Sequence, residues 1–196
     1  VQYLVLLDAK RVDTIYIVRG LNANVASGVD SYGITIQAAT ATSTKAPKIS
    51  ISGCTIVGGA YAVRQTYLGN GTTILSNCDF SGQSSTNGSV YAIGYSTIPI
   101  KNFSMNGVRI TGGQGPAVAF GQYVINSRIT GCEFLDGNLS NTLTDSGGAG
   151  AAVRSASYSW GLDMRLCRIG NTTAGGGLFT YAASNASSAA DRIYKD

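Results

Sequence analysis

The chain repeats one six-residue phrase: apolar, polar, turn residue, small apolar, polar, apolar. It stands as Ile51-Ser-Gly-Cys54-Thr-Ile56, Leu75-Ser-Asn-Cys78-Asp-Phe80, Met105-Asn-Gly-Val108-Arg-Ile110, Ile129-Thr-Gly-Cys132-Glu-Phe134 and Met164-Arg-Leu-Cys167-Arg-Ile169. The copies start 24, 30, 24 and 35 residues apart. A period of about 20–50 residues marks a solenoid or array, in which each repeat buries its apolar side against its neighbours.

The last three residues of each copy alternate in, out, in, as a short half-buried strand does. The first apolar residue lies three positions before the Cys or Val, the wrong parity for one continuous strand. The residue just before that position supplies the correction: Gly53, Asn77, Gly107 and Gly131. Gly and Asn enter the left-handed region cheaply. Two strands therefore meet at a one-residue bend and point their apolar side chains into one interior. Leu166 departs from the pattern, so the last bend is expected to be built differently or the alignment to slip there.

Stacking the copies gives three inward columns: Ile51, Leu75, Met105, Ile129, Met164; then Cys54, Cys78, Val108, Cys132, Cys167; then Ile56, Phe80, Ile110, Phe134, Ile169. A turn Gly follows at Gly58, Gly82 and Gly112. A further apolar patch (Tyr61–Val63, Val90–Ile93, Ala117–Phe120, Ala151–Val153, Leu178–Phe179) supplies a third strand to each coil. The variable spacing falls in loops such as Ser81–Gly88 and Gly137–Gly150. An antiparallel sandwich also shows short strands at regular spacing, but it does not require the same phrase to recur with the same bend. The reading is therefore all-β, a single-stranded parallel β-helix of about six coils with an N-terminal cap.

Residues 1–30 lack the phrase and read as a cap or an incomplete coil. Residues 31–185 form the β-helix, entered through Ser31-Tyr-Gly33-Ile34-Thr-Ile36 as a partial copy with its bend at Gly33. Residues 186–196 form a short polar tail. The start has no Met and no signal-peptide layout, so the chain is expected to begin inside a longer or processed polypeptide.

Composition narrows the function. Charged residues are 12%, about half the usual share. The net charge of +4 is spread out, with Lys10-Arg11 the only basic pair, so no nucleic-acid patch is expected. No apolar run approaches 18 residues, so no membrane insertion is expected. With no His in the chain, Ser-His-Asp and Cys-His machinery and His-ligated metal are excluded. Neither Gly147–Gly150 nor Gly175–Gly177 has dinucleotide-site spacing. No cofactor and no metal site is expected. The 4 Cys follow the coil spacing and read as buried thiols, which suits folding in a reducing cytoplasm before export or release by lysis.

Two surface rows carry the chemistry. The outward residues beside the seam run Thr55, Asp79, Arg109, Glu133, Arg168. They read as an exposed ion-pair row. Alternatively, Asp79 and Glu133, two coils or about 9.6 Å apart, form an inverting-glycosidase carboxylate pair, whose separation is about 6.5–9.5 Å. Asp136 is the next catalytic candidate, and Asp136 and Asp145 flank the longest loop; Asp163 is a further carboxylate. The second row is aromatic: Tyr67, Tyr95, Tyr123, Tyr158 and Tyr181, with Trp160. It reads either as structural stacking or as a glycan-binding strip, with Arg64 and Arg154 placed to hold acidic sugars.

The phrase with its Gly/Asn bend, over about residues 31–185, resembles the right-handed parallel β-helix of the pectin-lyase-like superfamily. Its short coils, its Ser/Thr/Gly/Asn-rich turns and its thiols resemble phage tailspike and tail-fibre β-helices more than pectate lyases, whose calcium-binding Asp cluster has no counterpart here. The resemblance implies a right-handed coil and a homotrimer in a virion tail, made in the host cytoplasm and set among other tail proteins. It implies a receptor-binding role on bacterial surface glycan. Alternatives are a polysaccharide lyase or glycoside hydrolase, secreted or viral, and a purely structural virion β-helix.

Overall fold

The computed structural model describes residues 2–8, 15–26, 30–37, 47–66, 71–94, 99–135, 152–155, 159, 161–170 and 179–181. Among them the regular structure is all strand, and every strand pair is parallel. Three long sheets carry the described chain, with a small two-stranded sheet pairing Ile100–Lys101 with Val124–Ile125. A leading sheet holds the strands before each bend: Ile15–Arg19, Lys48–Ser52, Thr72–Ser76, Phe103–Asn106, Arg128–Thr130 and Asp163–Arg165. A trailing sheet holds those after it: Asn22–Val25, Thr55–Gly58, Asp79–Ser81, Arg109–Thr111, Glu133–Leu135 and Arg168–Gly170. The patch sheet holds Gln2–Asp8, Ser31–Gln37, Tyr61–Thr66, Val90–Ile93, Val118–Phe120, Val153–Ser155 and Phe179–Tyr181. The chain visits leading, trailing and patch sheet in turn, then returns to the leading sheet beside its previous strand. This path is consistent with a parallel β-helix or solenoid.

The predicted columns stack in register. Val18, Ile51, Leu75, Met105, Ile129 and Met164 are successive partners in the leading sheet. Ala23, Ile56, Phe80, Ile110, Phe134 and Ile169 are successive partners in the trailing sheet. Between them runs the seam. The N–H of Asp79 donates to the Cys54 carbonyl, Arg109 to Cys78, Glu133 to Val108 and Arg168 to Cys132, at 2.8–2.9 Å. Cys54, Cys78, Val108 and Cys132 are at most 2% exposed.

All four cysteines are free thiols. Each donates to the carbonyl two residues back, those of Ser52, Ser76, Thr130 and Arg165, at 3.3–3.4 Å. A thiol can thus occupy the seam because its one weak donor is satisfied locally. Burial pushes the Cys78 thiol up to about 11.

The bends are left-handed at Gly53, Asn77, Gly107 and Gly131, with φ of 60°, 50°, 60° and 59°. Their N–H groups donate to the next repeat: Gly53 to Ser76, Asn77 to Asn106, Gly107 to Thr130, Gly131 to Arg165. One residue therefore reverses the parity without breaking the ladder. Gly107 also leaves room for its neighbour, since a Cβ there would lie 2.7 Å from Asn77 Oδ1. The expected turns at Gly58, Gly82 and Gly112 have φ of 76°, 68° and 65°.

Two expectations change. Gly33 is no bend. Ser31–Gln37 is one continuous strand of the patch sheet, paired with Tyr61–Thr66. The copy that precedes Cys54 is Val18-Arg-Gly20-Leu21-Asn-Ala23, with φ 63° at Gly20 and the Thr55 N–H donating to the Leu21 carbonyl. The strands of residues 2–25 pair in register with Ser31–Gln37, Lys48–Ser52 and Thr55–Gly58.

The second change is at Leu166, where the alignment does not slip. Leu166 itself takes the left-handed bend, φ 53°, with its side chain 78% exposed. A branched residue there costs about 1–2 kcal/mol that Asn largely avoids, and the exposed side chain contributes little burial to offset it. Leu166→Asn is expected to stabilise the fold by about 1 kcal/mol, raising Tm by about 2–4 °C. An unchanged or lowered Tm in a thermal melt overturns the assignment of strain to this bend.

Candidate functional site

The carboxylates expected to pair fall where the register puts them, in one outward row of the trailing sheet. Arg109 partners Asp79 on one side and Glu133 on the other, and Glu133 partners Arg168. Arg109 reaches Asp79 at 3.5 Å and Glu133 at 3.6 Å, and Arg168 reaches Glu133 at 3.5 Å. All four side chains are well exposed, so each link contributes about 0–1 kcal/mol. The arrangement is a charge ladder on an open sheet face, with Arg109 holding both carboxylates. Asp163, on the leading sheet, is held by Arg165 at 2.8 Å and Arg128 at 3.2 Å. The hydrogen bond from Arg165 leads in holding its carboxyl below the usual range. Asp136 and Asp145 lie outside the described residues.

Of the aromatic row, Tyr67, Tyr95, Tyr158 and Trp160 lie outside the described residues, and of Tyr181 only the strand backbone is described. Tyr123 sits at the corner after Val118–Phe120, in a left-handed conformation, φ 54°, with its carbonyl accepting the Ile100 N–H at 2.9 Å.

Arg64 and Arg154 stand on the outer surface of the patch sheet, in one row that runs Thr35, Arg64, Tyr91, Ala119, Arg154. Around them lies an aromatic cluster of different tyrosines. Tyr32 and Tyr61 are register partners with ring centroids 5.3 Å apart, and Tyr61 and Tyr91 lie 5.7 Å apart. The Arg64 guanidinium lies 5.0 Å from the Tyr32 ring centroid and 5.9 Å from that of Tyr61, a cation–π arrangement. The Tyr61 hydroxyl accepts from Asn87 Nδ2 at 3.2 Å. Burial is the leading cause that raises the Tyr32 and Tyr91 phenols above their ordinary value.

Beside this cluster opens a cleft of about 280 Å³, lined by Asn87, Tyr91, Ala119, Gly121, Gln122 and Arg154 among others. Small residues make its floor. A Cβ at Gly121 would lie 3.1 Å from the Tyr91 hydroxyl and 2.9 Å from Ile93. The Gly121 N–H donates to the Ala92 carbonyl at 2.7 Å, so the floor is tied to the strand that carries Tyr91. Ring, guanidinium and amide thus converge on one recess, a layout that suits a polar ligand with an apolar face.

Tyr32, Tyr61, Tyr91 and Asn87 escaped the reading of the sequence, which assigned the Tyr61 and Tyr91 segments to the core patch. For Tyr32 and Tyr61 the sequence carried no signal: each stands two residues before a buried inward residue, Ile34 and Val63, and alternation alone would turn it inward. For Tyr91 a signal existed. Tyr91 lies between Val90 and Ala92, both fully buried, so alternation sends it outward.

A second, polar groove of about 460 Å³ runs across the leading sheet, lined by Thr72, Asn102, Ser104, Asn126, Arg128 and Asp163 among others. Among the described residues no cluster of three or more His, Cys, Asp or Glu could hold a metal ion, and no helix is long and apolar enough to cross a membrane. No family model matches the chain, and no curated protein or solved structure matches it either.

Proposed function

We propose that this chain is a glycan-binding β-helix of the tailspike or tail-fibre type, a receptor-binding module that recognises bacterial surface polysaccharide. In this reading the solenoid is a right-handed coil of about six turns and pectin-lyase-like. Right-handedness agrees with the general hand of crossovers between parallel strands, about 98% right-handed. The module works as a homotrimer beside other tail proteins on a virion assembled in the host cytoplasm; a secreted glycan-binding protein is the alternative setting. The observation that carries the reading is the cleft where Tyr91, Asn87 and Arg154 converge on a rigid parallel sheet. Sugars offer an apolar ring face to an aromatic side chain and hydroxyls to amides and guanidinium groups.

Binding without cleavage is favoured because Arg109 ties up both paired carboxylates on an open face. An array of bacterial O-antigens and capsular polysaccharides tests the proposal. The protein is expected to retain a subset of the array, and Tyr91→Ala is expected to weaken that retention at least tenfold while the variant still folds and melts cooperatively. Equal retention by wild type and Tyr91→Ala overturns the site. Shortening of a bound polysaccharide, followed by size-exclusion chromatography, replaces the binder with a depolymerase.

A further inference from the structure

We infer that the cleft beside Tyr91 takes a sugar that carries an anionic group, with Arg154 as its counter-ion. The inference rests on the glycan-binding reading and adds the class of sugar. Of the five arginines elsewhere on the described sheets, Arg109, Arg128, Arg165 and Arg168 each reach a carboxylate, and Arg19 is exposed to solvent. Arg64 and Arg154 differ. Both are half-buried, and the Nε of each is buried with no hydrogen-bond partner among the described residues. Arg64 has two tyrosine rings against it. Arg154 has neither a carboxylate nor a ring stacked on it among the described residues.

A half-buried guanidinium without a counter-ion is costly. It is retained where a ligand brings the charge, and its planar fork matches a carboxylate or phosphate edge. The row supplies the geometry. Arg154 stands two strands from Tyr91 with only the Ala119 methyl between them, so a ring lying on Tyr91 can direct an acidic substituent at Arg154. Among the described residues no acidic residue lines the cleft. The net charge of +4 favours approach of an anionic polymer. The cleft lies just below the usual range of small-molecule sites, about 300–1,000 Å³, a size suited to one sugar unit of a longer chain.

The test uses the full chain on an array sorted into three sets: carboxylated glycans (uronic and sialic acids), phosphorylated or sulfated glycans, and neutral glycans. Retention is expected in an anionic set, and which one responds separates carboxylate from phosphate or sulfate. Arg154→Gln is expected to lower that retention at least tenfold, with Arg154→Lys intermediate. Arg168→Gln, the same charge change on the trailing sheet, is expected to leave it unchanged. Equal losses in the Arg154 and Arg168 variants overturn the inference, because they show only non-specific charge attraction. Retention confined to neutral glycans and lost in Tyr91→Ala overturns the anionic class while leaving the glycan-binding reading in place. Retention that is indifferent to Tyr91→Ala, or absent from all three sets, overturns both.

Discussion

Val108→Asp is expected to abolish cooperative folding at neutral pH. Val108 is fully buried in the seam. Its carbonyl is already taken by the Glu133 N–H, and the neighbouring seam residues are Cys78 and Cys132. Neither thiol can neutralise a carboxylate, and the one weak donor of each already has a carbonyl to bond. An unpaired buried charge costs several kcal/mol even after relaxation. That is a large share of a total stability of about 5–15 kcal/mol. The variant should show no folding transition in a denaturant titration at pH 7.

Acid should bring back part of the structure. Desolvation raises the folded-state pKa of an Asp above its unfolded value of about 3.9. The folded form then binds its proton first, so stability rises as the pH falls through the folded pKa and levels off below the unfolded one. Val108→Cys is the matched control. It puts into the one Val position the residue that the seam holds above and below, and a near-isosteric core swap costs less than about 1.5 kcal/mol. A Val108→Asp protein as stable as wild type at pH 7 removes the seam from the interior and the stacked-repeat architecture with it.

The seam was legible because two independent patterns agree on it. The phrase fixes which residues recur, and Gly or Asn before the Cys fixes how the parity is reversed. Both follow from local backbone chemistry, so a single sequence displays them. What was missed had weaker local signals. Val18-Arg-Gly20-Leu21-Asn-Ala23 obeys the phrase but puts Leu and Ala where the other copies have Cys or Val and Ile or Phe. Gly33 drew attention away from it. Its glycine answers a different need, since a Cβ there would lie 2.7 Å from the Ala62 carbonyl oxygen and 3.1 Å from Ile56. That close approach between strands is a tertiary fact with no trace in the residues beside Gly33. Leu166 shows the reverse. The residue type argues against the bend, and stacking on the Gly131 bend imposes it.

The site was legible in part for the same reason. Arg64 and Arg154 follow the patch in sequence, and the strand register sets them in the row Thr35, Arg64, Tyr91, Ala119, Arg154. The ion-pair row Asp79, Arg109, Glu133, Arg168 was read from coil spacing alone and appears with its predicted neighbours. The tyrosines that surround Arg64 come from three strands of the patch sheet, Ser31–Gln37, Tyr61–Thr66 and Val90–Ile93. Their meeting depends on the register between those strands, which the phrase does not encode.

Phe80→Ala is expected to cost about 3–5 kcal/mol, the usual loss when a fully buried ring is removed. Phe80 is completely buried in the trailing column, between Ile56 and Ile110. In a parallel ladder those neighbours cannot close the gap without pulling their own strands out of register. In a solenoid each repeat touches only its neighbours, so the damage should be local. Denaturation is expected to become broader or split into two steps, with limited proteolysis cutting first near residues 81–88. Phe80→Leu keeps most of the volume and should fall between Phe80→Ala and wild type. Ile110→Phe sits in the adjacent position of the same column and can grow into the vacated space. Alone it should overpack and destabilise by about 1–3 kcal/mol, whereas in the Phe80→Ala background it should recover part of the loss. Strict additivity of the two substitutions in a double-mutant cycle would show that the side chains do not touch, and the stacked column would then be wrong at its best-packed point.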